Sequence, residues 1–359
     1  MSGATETKKG SFRIFELIRR IPLTTLVIGG LFVVVLITGT AIGFSLPGLI
    51  SDALERFGMW GLLVLAMLPS IQSGTGPNFA LPVGICAGLL AFVLAIEWGF
   101  TGYALLAVAS ALAIIIGCIF GYLYGKLMNM VKGSEMAIAT YTGFSITFLF
   151  CMIWLIIPYS NHYLGFFLGD GIRHIISLEP MGAQYILEQL WAFSILGVTI
   201  RTGTLLVIAA AGVLMWLFFR SRAGIAISAV GSNPVFARAA GLNVDRSRVV
   251  ANMISTSLGA VGIIIYAQAF GFIQVYDFPL LLAFPAVAAI FVGGASAQRS
   301  KVMHVIIGAF LFQGLITVAP PVAGRLLQGT DADIANPVRM IIQNGVILYA
   351  LTQLKGGSK

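Results

Sequence analysis

The chain has 359 residues, 58% of them hydrophobic and 9% charged, with a net charge of +8 and a mean hydropathy of +0.98. Average soluble chains carry roughly 25% charged residues, so this composition excludes a water-soluble globular protein and indicates a polytopic membrane chain. The excess positive charge lies in short loops and near the ends, where membrane topology accounts for it and nucleic-acid binding does not.

Residues 1–22 are polar and basic and lead into an apolar run without a small-residue cleavage site, which reads as a cytoplasmic N-terminal arm and not a signal peptide. A crossing helix needs about 20 apolar residues. On that rule ten crossings follow, at 23–44, a shorter one at 58–72, then 80–96, 102–124, 136–159, 202–219, 249–270, 278–292, 302–319 and 337–354. The predicted fold is therefore all-α, a polytopic membrane helical bundle over 23–354 with a short tail at 355–359. With the N-terminus inside, one side collects Lys126, Lys132, Arg220, Arg222, Arg238, Arg246, Arg248, Arg299, Lys301, Lys355 and Lys359. The other collects Asp52, Glu55, Glu97, Asp170, Glu179, Glu188, Asp277, Asp331 and Asp333. Arg56, Arg173, Arg201, Arg325 and Arg339 are exceptions, but the asymmetry places both termini in the cytoplasm.

Four stretches stand out. Between the second and third crossings, residues 69–78 hold two prolines and two glycines, which no continuous helix accommodates well. Backbone freed there must face protein or water, and such breaks build substrate sites in some transporters; a simple tight turn is the equal alternative. Gly117, Gly121 and Gly125 form a small-residue strip for close helix packing. The external loop 160–201 is aromatic and amphipathic, and its part 186–200 is expected to dip into or lie along the membrane, or to cap the bundle. The basic loop 220–248 is expected on the cytoplasmic side, with a short helix capped by Asn233, begun by Pro234 and ended near Gly241.

The crossings hold essentially no ionisable group at mid-depth; Glu97, Glu135 and His304 sit near span ends. This argues against proton-driven transport and against acid–base catalysis inside the membrane. Cys86, Cys118 and Cys151 are scattered in apolar runs, at neither metal nor disulfide spacing. The segment from Gly121 to Leu127 falls one residue short of a phosphate loop and lacks its final Ser/Thr. The chain is thus expected to bind no cofactor and to be no enzyme; ATP, if it drives transport, is handled by another polypeptide. Gln72, Ser73, Thr75 and Asn78 in the break, Tyr141, Ser145 and Trp154, and Asn252, Thr256 and Gln268 offer uncharged polar and aromatic groups that suit a neutral solute. For any single one, hydrogen bonding between helices is the commoner role.

Several residues carry a family resemblance: Gly231 and Asn233; the run from Ala237 and Arg238 through Gly241 to Val244, with Arg246; Ser257, Gly259 and Gly262; and Gly293, Gly294 and Ser296. In these the chain resembles permease subunits of ABC importers for simple sugars, autoinducer-2, nucleosides and branched-chain amino acids. The resemblance implies a cytoplasmic ATP-binding-cassette ATPase that uses ATP and Mg, a second permease copy or paralogue, and an extracellular or periplasmic substrate-binding protein. It also implies a bacterial inner-membrane location. Under it, Asn233, Pro234, Ala237, Arg238, Gly241 and Arg246 belong to a coupling helix that docks on the ATPase. Two departures bear on the substrate. Sugar permeases carry Asp-Leu-Ser-x-Gly where this chain has Asn78 to Gly84, and Gly-Arg-Gly where it has Ala297 to Ser300. The expected function is a permease for a small neutral solute, sugar or nucleoside-like; the alternative is a facilitative or sodium-coupled secondary transporter.

Overall fold

The computed structural model describes residues 22–165, 171–326 and 335–356. The arm 1–21, Asp170, Asp331, Asp333 and Lys359 lie outside the described residues. The helices are α1 (Leu23–Ala41), α2 (Leu46–Leu65), α3 (Met67–Gln72), α4 (Leu81–Glu97), α5 (Gly102–Met130) and α6 (Glu135–Ile156). They continue as α7 (Thr202–Arg220), α8 (Arg222–Ser232), α9 (Pro234–Ala239), α10 (Val244–Phe270), α11 (Phe278–Val292), α12 (Val302–Leu326) and α13 (Ala335–Gly356).

Among the described residues, seven helical runs are long and apolar enough to cross a membrane: α1, the α2–α3 run, α5, α6, α7, α10 and α12. At 1.5 Å per residue, α4 with 17 residues and α11 with 15 reach only about 22–26 Å, short of a hydrocarbon core of about 30 Å. Their near-total burial explains this, because a helix enclosed by protein need not match the bilayer. The second expected crossing is also corrected. Helix α2 begins at Leu46 and, with α3, runs 27 residues to Gln72. It takes in Asp52, Glu55 and Arg56, and Glu55 meets Arg201 at 2.8 Å, so charge here does not end the helix.

The all-α expectation needs a small correction. Among the described residues, four three-residue strands form two antiparallel pairs at the end of the bundle that holds Glu97 and Asp277: β1 (Ile175–Ser177) with β4 (Phe272–Gln274), and β2 (Phe193–Ile195) with β3 (Val198–Ile200). They form because segment 171–201 is folded down onto the helix ends. Tyr276 donates to Ile172 O at 2.8 Å, and Tyr185 N donates to Gln268 O at 2.8 Å. Gly271, at φ +93°, ends α10 and releases the chain into β4.

Helix α10 is the axis of the bundle, mostly buried and packed by α2, α3, α4, α5 and α8. The glycine strip on α5 makes this possible. A Cβ built on Gly117, Gly121 or Gly125 would lie 2.8 Å from Ser257 Cα, 2.6 Å from Met253 Cα and 2.8 Å from Val249 Cα. Glycine on successive turns lets the two backbones touch, where a larger side chain would hold them apart. By contrast α1 and α6 are largely exposed, with apolar side chains such as Leu31, Val34, Phe148 and Leu149 outward, as a lipid-facing surface requires.

Candidate functional site

Two sequence features that lie about 150 residues apart meet in space. The basic segment expected as a loop is mostly helical: Ser221 accepts from Gly224 N at 3.3 Å to start α8, and Asn233 accepts from Phe236 N at 2.9 Å to start α9. Pro234 occupies the first turn of α9, where its missing N–H costs nothing. The helix ends in a Schellman turn: Leu242 N donates to Ala237 O at 3.0 Å and Gly241 N to Arg238 O at 3.0 Å, with Gly241 at φ +83°. Asn243 then caps α10, accepting from Arg246 N at 2.9 Å.

Fixed at both ends, α9 has two unlike faces. Ala237 is fully buried in a small core with Val230, Val244 and Leu242. Val235 and Phe236 are 79% and 69% exposed, beside exposed Arg238. Not all of the arginines face outward. Arg248 is 8% exposed and reaches Glu135 at 3.4 Å, while Lys132 pairs with Asp245 at 2.7 Å. These pairs bring the α5–α6 turn and the basic segment to the same end of the bundle, as the charge pattern requires.

The root of this segment abuts the 69–78 break. A Cβ on Gly231, near the end of α8, would sit 2.1 Å from Gln72 O, and one on Gly74 (φ +76°) would sit 2.9 Å from Gly231 Cα. Backbone touches backbone, so α8 and the break cannot move independently. Inside the break Ser70, Ser73 and Thr75 bond to one another at 3.0 Å, and Ser70 donates to Gly76 O at 2.8 Å, which satisfies the non-helical backbone internally. Gln72 reaches Ser300 O, and a cavity of about 310 Å³ opens beside it, lined by Leu68, Trp216, Phe219, Arg220 and residues 300–303.

The other sequence-selected polar residues divide by burial. Asn78 donates to Ser255 Oγ at 2.8 Å, and Ser255 donates to Ala66 O at 2.6 Å, so a polar seam ties the break to α2 and α10. Asn252, Thr256, Gln268 and Trp154 are also buried, at 1% exposure or less. Gln268 accepts from Leu187 N at 3.2 Å and so clamps the opposite end of the bundle. Tyr141, 68% exposed, and Ser145 lie on the outward face of α6, away from the seam.

A cluster at that opposite end could not be found from sequence spacing. Arg201 bridges Glu55 at 2.8 Å and Glu188 at 2.7 Å beside a cavity of about 470 Å³ that Tyr185 and Gln189 also line. Burial and the nearby Glu55 carboxylate push Glu188 up to about 7 from an ordinary 4.5, against the pull of Arg201 and Arg56. A carboxyl with a raised folded-state pKa stabilises the fold most below its unfolded value and loses that contribution as pH rises through the folded one. Thermal melts from pH 4 to 8 should therefore show a stability contribution lost between about 4.5 and about 7. Glu188→Gln should flatten that part of the profile, and an unchanged profile would remove Glu188 as its source.

Among the described residues no group of His, Cys, Asp or Glu is arranged to hold a metal ion. The family described as "Branched-chain amino acid transport system / permease component" matches residues 49–351. No curated protein sequence matches significantly. A solved structure described as "An inward-facing conformation of a putative metal-chelate type ABC transporter" is similar at 15% identity and TM-score 0.45, covering 91% of this chain and 99% of its own.

Proposed function

The chain belongs to the family of branched-chain amino acid transport system permease components, and from that membership we propose that it forms the membrane pathway of an ATP-binding-cassette importer for a small neutral solute. The observation that carries this reading is the two-faced α9, rooted through Ala237 and offering Val235, Phe236 and Arg238 to a partner, with its base at Gly231 locked to the break. A cytoplasmic ATPase gripping α9 would transmit its motion through α8 to the break, and thence through Asn78 and Ser255 to α10. The ATPase supplies ATP hydrolysis with Mg; this chain supplies the route.

In this reading α4, α11 and α13 join the seven long runs to give ten membrane segments, with both termini cytoplasmic in a bacterial inner membrane. A second permease copy or paralogue packs beside the first, and an external binding protein delivers the solute. Tyr141 and Ser145, polar groups on an otherwise lipid-suited face, fit a pathway between copies better than a lipid boundary. The half-buried Gln72 and the buried Ser73, Thr75, Asn78, Asn252 and Thr256 around the break act on that pathway by setting helix positions. Sugars and nucleosides suit the uncharged groups; the family description adds branched-chain amino acids as a second class to test.

The test is uptake into proteoliposomes holding the chain with an ATPase and a binding protein encoded beside it, with all three solute classes as substrates. Uptake should require internal or external ATP on the ATPase side. Uptake that persists without ATP and follows a sodium gradient would replace this reading with a secondary transporter. Within the same system Gly231→Val should abolish uptake, since its side chain must displace the Gln72 carbonyl. Wild-type uptake by that variant would break the proposed link from α8 to the break.

A further inference from the structure

Residues 189–200 carry no charge and form the β2–β3 hairpin and its approach. Leu196 and Gly197, at φ +53° and +82°, make the tight turn that reverses the chain. The side chains that would normally be hidden are outside: Leu196 is 93% exposed, Trp191 74%, Ile195 53% and Phe193 46%. An isolated two-stranded hairpin is marginal in water, and an apolar one with open edges is an aggregation hazard there.

Its position supplies a different solvent. Thr199 N donates to Ser51 Oγ at 2.9 Å, and Gly197 packs at the Pro47 ring. Ser51 lies five residues past Leu46, the first residue of α2, about 7.5 Å along the axis. The hairpin therefore lies beside the end of a membrane helix and not beyond it. From Ile200 the chain passes through Arg201 directly into α7, whose Leu206, Val213, Leu214 and Leu217 are exposed apolar groups. The hairpin thus continues sideways a surface that already meets lipid.

We propose that the β2–β3 hairpin is a membrane-interface anchor, with Trp191, Phe193, Ile195 and Leu196 seated among the headgroups and outer acyl carbons beside α2 and α7. The unpaired strand edges hold it at that depth, because open backbone groups are not tolerated in the hydrocarbon centre. Trp191 suits the aromatic belt at such a boundary. With no charge, the anchor recognises the apolar boundary itself and does not depend on anionic lipid. It fixes the depth of segment 171–201, which in turn clamps Gln268 and β4. The inference needs only a membrane-embedded chain; it is independent of transport, of the solute and of which side faces out.

The test places a nitroxide spin label at Leu196→Cys, and separately at Ile195→Cys, in the full chain with Cys86, Cys118 and Cys151 replaced by alanine. The protein is reconstituted in phosphatidylcholine vesicles. Relaxation by oxygen should exceed severalfold that by a water-soluble nickel chelate at both positions. Dominant access by the chelate would overturn the proposal and leave the hairpin free for a soluble partner. An immobilised label shielded from both reagents would also overturn it, showing protein cover by another part of the chain or a second copy.

Discussion

Gly88→Val should prevent the folded protein from accumulating. A Cβ at Gly88 would lie 2.2 Å from Ala260 O and 2.4 Å from Ile263 Cγ2, where α4 crosses α10. The nearer neighbour is backbone of α10, so it cannot rotate away as a side chain would. Inserting atoms into a close-packed core commonly costs about 1–3 kcal/mol, occasionally more. With the Ala260 backbone in the way, even Gly88→Ala falls at the upper end and valine beyond it, against a total stability of about 5–15 kcal/mol. Detergent-extracted yield and melting temperature measure this, with Gly30→Val as comparison because nothing lies within 4 Å of a Cβ there. A Gly88→Val protein melting like the unmodified chain would mean that α4 and α10 do not touch as described.

The second large effect separates coupling from folding. Phe236→Asp combined with Arg238→Glu should leave the melting temperature almost unchanged, because both side chains are exposed and α9 is held by its caps and by Ala237. Association with the ATPase should weaken by about 2 kcal/mol or more, roughly thirtyfold, as for an aromatic or arginine anchor lost from an interface. Uptake should fall with it. Ala237→Leu should behave in the opposite way, lowering the melting temperature because its site is closed. Full uptake and unchanged association in the double variant would remove α9 as the point of attachment.

Much of α9 was legible in the sequence because its signals are local. Asn233 as cap, Pro234 in the first turn and Gly241 in the left-handed turn each act within a few residues, and each is found in that role. The strip of Gly117, Gly121 and Gly125 was equally readable as a packing face, since four-residue spacing fixes one side of a helix. Burial was less legible. Asn252, Thr256 and Gln268 look like Tyr141 and Ser145 in a list of polar residues, yet the first three are enclosed and the last two face out. Apolar runs on both sides of a helix erase the periodicity that would have told them apart.

Composition, span spacing and the sides taken by charge determined a membrane helical bundle and the helix pointing from its basic segment, because these depend on transfer free energy and local backbone geometry. Only the tertiary structure decided that Gly231 rests on Gln72, that Arg201 joins Glu55 to Glu188, and that α4 is enclosed. Each of these joins residues far apart in the chain through backbone approach or shared burial. Such contacts follow from how whole helices and loops pack against one another, and no local pattern of residues encodes that choice.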